Sequence, residues 1–193
     1  MAIAAERMSA PPMTYEDYMA EGEVFKRYDI IDGVRIEMNP TRKHQEILMN
    51  ILEALRGFQR TLRSGSALLS PCDILIRKSP LNTRQPDLSF ISNAQLAVNG
   101  SDDNPAPLEH APELVIKILS PSETHRARER KLIDYCNVGV LESWVVDPAA
   151  LAVEVFRLSV EGYEVVAIYR SGESIHSITF PDLTVSVDSI FAA

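Results

Sequence analysis

Two charged side chains interrupt segments that otherwise have the composition of buried strands, and they are the first candidates for chemistry in this sequence. Lys117 lies inside the aliphatic run ELVIKIL, and Asp87 opens the short apolar run DLSFIS directly after Pro86. A run that is apolar on both faces is typical of a strand in the middle of a sheet. An unpaired ammonium group there would cost several kcal/mol, so Lys117 must pair with an acid or reach solvent in a cleft. Neighbouring strands would bring Asp87 and Lys117 within reach of each other if both point to the same face.

Both residues also have ordinary structural explanations, and three further polar residues are weaker candidates. Asp87 could be a turn residue at the end of a strand, and Lys117 could be an edge-strand lysine that prevents pairing with another chain. Lys131 borders the buried stripe of a predicted helix, where a lysine normally extends its ammonium group to solvent. His44 at the start of another helix and Asp29 in a predicted strand are each weak evidence when taken alone.

The motifs of several common enzyme classes are absent from the sequence. There is no glycine-rich phosphate loop of the G-x-x-x-x-G-K-[ST] or G-x-G-x-x-G type, no G-x-S-x-G elbow and no H-E-x-x-H pair. The four histidines are widely separated and show no zinc-ligand spacing. The candidates that remain are acidic residues and lysines. These are the residue types that a metal-dependent phosphodiesterase uses, together with a hard cation, to cleave a phosphodiester. Mg²⁺ takes carboxylate oxygens and waters, activates a water and stabilises charge on the phosphate, while a lysine adds a further positive charge.

The hydrophobic spacing predicts three helices. Residues 14–21 form a short helix capped by the threonine at its start, with acids in its first turn. The longest helix is predicted from His44 to Leu62, because aliphatic residues recur there at three- and four-residue spacing. Another long helix is predicted over Glu123–Asn137, with Ser122 as its cap.

Short strands and hairpin turns account for most of the remaining chain. Strands are predicted at residues 67–69, 73–77, 87–91, 113–119 and 142–146, and in two hairpins at 28–38 and 153–169. The C-terminal run TFPDLTVSVDSIF adds one or two strands, and residues 93–112 are expected to form a surface loop that includes one helical turn. Sequential hairpins argue against a purely parallel sheet, so we predict an α/β fold with a mixed sheet.

Length and composition limit the class of protein. A chain of 193 residues that is 46% hydrophobic and 24% charged is typical of a soluble globular protein with one domain. Its longest apolar runs fall far short of the roughly 20 residues that a membrane helix needs, which argues against a membrane span. Glu6 and Arg7 stand where a signal peptide would need its apolar stretch, and two cysteines are too few for a disulfide framework or a cysteine zinc site. We therefore expect a cytoplasmic protein with both thiols reduced.

Charge is distributed unevenly along the chain. The net charge of −8 argues against binding nucleic acid by bulk attraction alone. Residues 141–193 hold eight acids and two bases, whereas the first 140 residues are nearly neutral and contain clusters of basic side chains, among them Arg126, Arg128 and Arg130. Such a cluster is usually a solvated face, and the alternative is a local surface that binds phosphate.

The order of several segments resembles that of a known family. YDIIDG is followed by His44 at a helix start, by PDLSFIS, by a strand ending in ILSPS and by KLIDYCNVGVLESWVVDP. This order, over about residues 12–190, resembles the Uma-type "putative restriction endonuclease" family, long catalogued as a domain of unknown function, in the PD-(D/E)XK nuclease superfamily. The most specific parts are the ILSPS strand end and the K-x-x-x-Y-x-x-x-G-V…W-x-V-D-P stretch. The resemblance implies a restriction-endonuclease-like fold with a central mixed sheet, flanking helices and additional antiparallel hairpins. We expect one such domain over residues 1–193, with residues 1–13 flexible.

The resemblance also implies a site and a partner. Asp87 matches the family's metal-binding aspartate, with Mg²⁺ or Mn²⁺ as the ion, and Lys131 matches a lysine that has moved from the strand to the following helix. Asp29 stands where the family usually has a glutamate, and His44 matches a histidine near the site. The implied partner is nucleic acid, DNA in particular. A homodimer would follow from the two-fold symmetry of duplex DNA rather than from this chain.

Lys117 departs from the family's pattern. Family members carry a glutamate at this position as the second metal ligand, in a strand that reads roughly V-E-V-L-S-P-S. An ammonium group cannot bind a metal, and its charge repels one. We hypothesise that the Lys117 ammonium takes the place of the metal and pairs with Asp87, which would leave the site poor in metal and weak or silent in catalysis. Glu113 is too distant to replace the missing acid, at about 13 Å along an extended strand, whereas Glu129 or Asp29 could supply it from another element.

Three interpretations of function follow. The leading one is a Mg²⁺-dependent DNA endonuclease. The alternative, from another class, is a catalytically silent relative that binds nucleic acid or a protein partner without cutting. DNA binding that weakens with salt and with changes of Arg126, Arg128 or Arg130 would favour this alternative. The third interpretation, a soluble domain with no nucleic-acid role, is favoured only by the acidic composition.

Overall fold

The computed structural model describes residues 11–22, 24–100, 107–121 and 123–192. Within them the helices are α1 (Tyr15–Glu21), α2 (Arg42–Leu62), α3 (Asn93–Asn99), α4 (His125–Asn137) and α5 (Val187–Phe191). The strands are β1 (Tyr28–Ile31), β2 (Val34–Glu37), β3 (Gly65–Leu69), β4 (Ile74–Arg77), β5 (Asn82–Arg84), β6 (Leu88–Ser92), β7 (Leu114–Ile118), β8 (Glu142–Asp147), β9 (Ala152–Ser159), β10 (Gly162–Tyr169), β11 (Ser174–His176) and β12 (Thr184–Ser186). They form a four-stranded sheet in the order β2-β1-β5-β4, a six-stranded sheet in the order β10-β9-β8-β7-β6-β3, and a pair of β11 with β12.

The six-stranded sheet is mixed, as the hairpins predicted. β7 and β8 run parallel, and the other neighbouring strands in this sheet are antiparallel. On one face α2 buries its apolar stripe, including Ile51, against Ile116 and its neighbours. On the other face α4 packs Leu132 into a second core with Val115. The expected central mixed sheet with flanking helices and antiparallel hairpins is therefore confirmed.

The alternation of side chains along β7 decides where its lysine points. Ile116 and Ile118 belong to the core under α2, whereas Val115 belongs to the core under α4. Successive side chains of a strand point to opposite faces, so Lys117 lies on the face that α4 covers.

The β1–β2 hairpin turns at Asp32-Gly33, as predicted, and both residues have positive φ angles, 50° and 76°. A Cβ atom on Gly33 would lie 2.6 Å from the Cβ of Pro12, so the close approach of the chain also requires glycine here. The Met13 N–H donates to the Gly33 carbonyl at 2.8 Å, which attaches the segment before α1 to the hairpin. Residues 1–10, most of the stretch expected to be flexible, lie outside the described residues.

Two helix starts differ from the sequence-based prediction because threonines cap them. The helix α2 begins two residues earlier than predicted, with Thr41 Oγ1 accepting the His44 N–H at 3.3 Å. The helix α4 begins two residues later than predicted, with Thr124 Oγ1 accepting the Ala127 N–H at 3.2 Å. A hydroxyl at this position satisfies an otherwise unpaired backbone N–H of the first turn. Ser122, the predicted cap of α4, lies outside the described residues.

Three elements were not predicted. The strand β5 has the polar sequence NTR and carries no apolar pattern. The strand β11 lies between the second predicted hairpin and the predicted C-terminal strands. The helix α3, capped by Ser92, is longer than the single helical turn expected in the loop over residues 93–112. The helix α5 follows β12 where only strands were expected. Each element is short, so its hydrophobic period is not resolved in the sequence.

No helix in the described ranges is long and apolar enough to cross a membrane. Cys72 and Cys136 are both free thiols. Burial, with a smaller contribution from the Asp73 charge, raises the pKa of the Cys72 thiol to about 11, so this cysteine stays protonated at neutral pH.

Candidate functional site

Asp87 is fully buried and both of its carboxylate oxygens are occupied by donors. Oδ1 is contacted by the guanidinium of Arg27 and lies 3.2 Å from His44 Nε2. Oδ2 accepts the Ile118 N–H at 2.7 Å and lies 3.2 Å from Lys117 Nζ. We call Asp87, Arg27, His44 and Lys117 the Asp87 cluster. The contact between Asp87 and Lys117, expected from neighbouring strands, is present in the structure.

The elements around Asp87 explain why these donors meet there. Asp87 immediately precedes β6, and its own N–H donates to the Ile116 carbonyl of β7 at 3.0 Å, so the two strands are in register at this point. Arg27 immediately precedes β1, and its Nε donates to Ser70 Oγ at 3.0 Å. The side chains of Arg27 and Lys117 are only 13% and 12% exposed, so both charges are held near the carboxylate rather than in solvent.

The electrostatic balance at Asp87 favours the ionised carboxylate. Burial alone would raise the pKa of Asp87, but the hydrogen bond from His44 and the positive charges of Lys117 and Arg27 outweigh it. The result is a pKa well below the usual range of an aspartate. The carboxylate is therefore charged throughout the neutral range and neutralises one of the two cations beside it.

We expect acid to destabilise the protein partly through Asp87. Because its folded-state pKa is lowered from the ordinary value of 3.8, the unfolded chain takes up this proton first as the pH falls. The stabilisation is present above about pH 4 and is lost progressively below it. Urea unfolding between about pH 5 and about pH 3 measures this loss. The variant Asp87→Asn cannot titrate there and should lose less free energy of unfolding over that interval. An equal loss in both proteins would contradict the assignment.

A second buried cluster surrounds Arg84, whose side chain is 3% exposed. Arg84 Nη1 donates to Asp29 Oδ2 at 2.9 Å, and its Nε donates to Asp134 Oδ2 at 2.8 Å. Lys131 Nζ lies 2.7 Å from Glu123 Oε1 and 3.8 Å from Asp29 Oδ2. Burial alone would lower the pKa of Arg84, but the charges of Asp29 and Asp134 raise it by more. We call these five residues the Arg84 cluster.

A cleft of about 910 Å³ is lined by residues of both clusters. Six lysine or arginine side chains and four acidic side chains line it, whereas the whole protein carries a net charge of −8. The basic residues of the lining are Arg27, Arg84, Lys117, Arg126, Arg130 and Lys131. The cleft therefore has an excess of positive side chains on an otherwise acidic protein.

The three arginines expected to contact nucleic acid, Arg126, Arg128 and Arg130, do not all lie on the same face of α4. Arg126 and Arg130 are one turn apart, exposed, and part of the cleft lining. Arg128 lies on a different face of the helix, where its Nη1 donates to Glu154 Oε1 at 3.2 Å. Its guanidinium carbon is 5.1 Å from the centre of the Phe156 ring. Arg128 thus connects α4 to β9 and does not line the cleft.

Sequence reasoning singled out five residues of these clusters and missed four others. The structure brings Asp87, Lys117 and His44 together in one cluster, and Asp29 and Lys131 in the other. Those that were missed are Arg27, Arg84, Glu123 and Asp134. Two of them could have been found from the sequence, because a charged residue close to a strand that is expected to be buried is a candidate for the site. Arg27 shortly precedes YDIIDG, and Arg84 shortly precedes PDLSFIS.

The donors around Asp87 do not fit Mg²⁺ or Mn²⁺. These ions need several carboxylate or water oxygens, and both Asp87 oxygens already accept from N–H groups. Among the described residues no group of three His, Cys, Asp or Glu side chains is arranged to hold a metal. Glu113 does not replace the missing acid, because its Oε2 accepts the Ser92 N–H at 2.9 Å. Asp29 is bound by Arg84, and Glu129 lies beside His125 at 3.6 Å.

Comparison with known proteins agrees with this architecture. The family model described as "Putative restriction endonuclease" (Uma2) matches residues 15–188. A solved structure of a putative nuclease belonging to DUF820 from Anabaena variabilis ATCC 29413 is similar in fold, with a TM-score of 0.74 at 20% sequence identity. That alignment covers 94% of this chain and 98% of the other. A comparison with curated proteins gives no match. Since the family model spans nearly the whole chain, the protein belongs to the Uma2 "Putative restriction endonuclease" family.

Proposed function

We propose that this protein binds nucleic acid, DNA in particular, along the cleft through contacts to phosphate, and that the natural sequence does not hydrolyse it by a divalent-metal route. The family supports nucleic acid as the partner. The excess of basic side chains in the cleft supports phosphate as the group that is recognised. A cytoplasmic location, expected from the sequence, would give the protein access to cellular DNA.

The observation that carries the proposal is the occupation of Asp87. A nuclease of this superfamily would need the oxygens of this carboxylate for a metal, and here Lys117, Arg27 and His44 take them. Arg27 and Lys117 together carry one positive charge more than Asp87 neutralises. That excess charge in a cleft attracts an anion such as a phosphate group, and it repels a metal ion.

The rim of the cleft offers further cations to a phosphate backbone. Arg126 and Arg130 are exposed on α4, and their spacing of one helical turn lets both face the same strand of nucleic acid. Arg130 forms an exposed ion pair with Asp32 at 3.2 Å. Such a pair contributes little stability, so a phosphate group can replace Asp32 as the partner of Arg130 at little cost. Lys131 also lines the cleft but is less exposed, and its Nζ lies 2.7 Å from Glu123 Oε1.

Removing the two rim arginines tests the proposal. We expect wild type to bind a labelled duplex of about 20 base pairs in the presence of EDTA, with affinity that falls steeply as salt rises. The double variant Arg126→Ala/Arg130→Ala should bind more weakly, and the slope of log affinity against log salt should fall by about 2. Fluorescence anisotropy over a salt series gives both quantities. The control is Arg157→Ala, which removes the same kind of charge from an exposed pair with Glu164, outside the cleft lining.

The results separate this proposal from a metal-dependent endonuclease. Absence of binding in EDTA at low salt, or an equal loss in Arg157→Ala, would contradict it. Cleavage that needs Mg²⁺ or Mn²⁺ and disappears in Asp87→Ala would instead support the endonuclease, with Lys131 stabilising the attacked phosphate. The observation that favours this second candidate is the presence of Asp29, Glu123 and Glu129 in the same cleft lining. Double-strand cleavage would also favour a two-fold homodimer.

A further inference from the structure

A smaller cavity of about 310 Å³ adjoins the cleft at the ends of two strands. It lies where β7 and β8, a parallel pair, both end, and where α2 begins. The carboxyl ends of parallel strands are the usual place for a ligand in an open α/β sheet. Much of its wall is apolar, formed by Pro40, Leu119, Pro121, Pro148 and Ala149. Its volume is at the lower end of the range for cavities that hold small organic ligands, about 300–1,000 Å³.

The small cavity is continuous with the cleft through His44. Asn39, Pro40, His44 and Ser120 line both. The His44 side chain is 8% exposed, and its Nε2 faces Asp87 Oδ1 at 3.2 Å. Its Nδ1 is buried and has no hydrogen-bond partner among the described residues. A buried polar nitrogen without a partner is costly. Because the His44 side chain lines both cavities, it forms part of the boundary at which they join.

We propose that the small cavity receives an unpaired nucleobase whose phosphate lies in the cleft. A nucleotide joins a flat ring with apolar faces to a charged phosphate, and here an apolar cavity of ring size adjoins a cleft with cationic walls. The phosphate would lie toward Lys117 and Arg27, and the ring would lie among the prolines and Leu119. This inference rests on the proposed function, because it assigns a substrate class to the same site: nucleic acid with a base that is extruded or not paired.

One polar side chain at the cavity, that of Asp147, can recognise the edge of a base. Asp147 Oδ1 accepts the N–H groups of Ala149 and Ala150 at 2.8 and 3.0 Å, while Oδ2 has no partner among the described residues. A carboxylate oxygen of this kind accepts from the exocyclic amino group of a base. Lys43 Nζ donates to the Pro148 carbonyl at 3.2 Å and joins the start of α2 to the turn after β8.

Filling the cavity tests the proposal. Ala149 is exposed and lines the cavity, and Ala150, also exposed, is next to it in the same turn but does not line the cavity. The variants Ala149→Trp and Ala150→Trp are therefore a matched pair. The probes are two duplexes of one sequence in EDTA, one fully paired and one with a single unpaired 2-aminopurine, an amino-bearing base whose fluorescence reports unstacking.

We expect wild type and Ala150→Trp to bind the unpaired-base probe about tenfold more tightly than the paired one, with a change in 2-aminopurine fluorescence. Ala149→Trp should lose this preference and the fluorescence change, and it should keep the affinity of wild type for the paired probe. A preference that survives in Ala149→Trp, or binding of both probes with equal affinity by wild type, would overturn the cavity assignment alone. Failure of wild type to bind either probe would overturn the proposed function and the cavity assignment together.

Discussion

The variant Lys117→Glu is expected to bind Mn²⁺ at a site that the natural protein lacks. Lys117 Nζ lies 3.2 Å from Asp87 Oδ2, so a glutamate at this position would bring a second carboxylate to the first. The new carboxylate would line the cleft with the buried Asp87 carboxylate beside it, and two adjacent carboxylates are suitable oxygen ligands for a hard cation, whereas the lysine ammonium repels one. Isothermal titration calorimetry should show Mn²⁺ binding by Lys117→Glu and none by wild type at the same concentrations.

Thermal unfolding gives an independent measure of the same change. Without metal, Lys117→Glu should be less stable than Lys117→Gln, because two neighbouring carboxylates repel each other. Mn²⁺ should then stabilise only the glutamate variant, by about 2.7 kcal/mol when its concentration is 100 times the dissociation constant. The control Lys117→Gln separates the loss of a cation from the gain of an acid.

The outcomes bear directly on the two candidate functions. Binding of Mn²⁺ by Lys117→Glu alone, together with nicking of plasmid DNA, would mean that Lys117 silences a nuclease in the natural protein. Binding by wild type that disappears in Asp87→Ala would show that the ammonium has not replaced the metal. In that case another acid must complete the site, and the metal-dependent endonuclease becomes the better explanation.

The mixed sheet and the contact between Asp87 and Lys117 could be predicted from the sequence for simple physical reasons. The helix α2 has a long apolar stripe, and the hairpin at Asp32-Gly33 has a dipeptide suited to positive φ angles. A lysine within a buried aliphatic strand requires an acidic partner or access to solvent in a cleft. Asp87, at the start of a neighbouring strand, was the candidate partner, and the observed distance of 3.2 Å to Lys117 agrees with it.

The other partners could not be found from the sequence because long-range geometry determines them. Arg27 and Asp87 are 60 residues apart, and Arg84 and Asp134 are 50 residues apart. Arg84 ends a three-residue polar strand, so no hydrophobic period indicates that it is buried. Whether such a residue is exposed or buried depends on how the two sheets pack against α4, which the local sequence does not determine. The different direction of Arg128 was easier to anticipate, because residues two apart do not face each other on a helix.

The variant Arg84→Met is expected to cost about 3–5 kcal/mol of unfolding free energy, as measured by urea denaturation. Arg84 is 3% exposed and donates to two carboxylates, Asp29 at 2.9 Å and Asp134 at 2.8 Å. Methionine fills similar space but leaves both carboxylates without their main counter-charge in a buried setting. The control Arg77→Met breaks an ion pair with Asp32 of similar length, 2.8 Å, whose side chains are about half exposed. This control should cost less than about 1 kcal/mol.

The source of the larger loss can be separated by a second change. If the cost comes from stranded charge, adding Asp134→Asn to Arg84→Met should recover part of it, because one of the two buried carboxylates is neutralised. If the cost comes from lost packing around the guanidinium, the two changes should simply add. Asp29 also lies 3.8 Å from Lys131 Nζ, so without Arg84 its carboxylate should attract this lysine more strongly, which should shift the ammonium group at the cleft wall and weaken DNA binding. Recovery of stability without recovery of binding would show that Arg84 positions Lys131 through Asp29 as well as stabilising the fold.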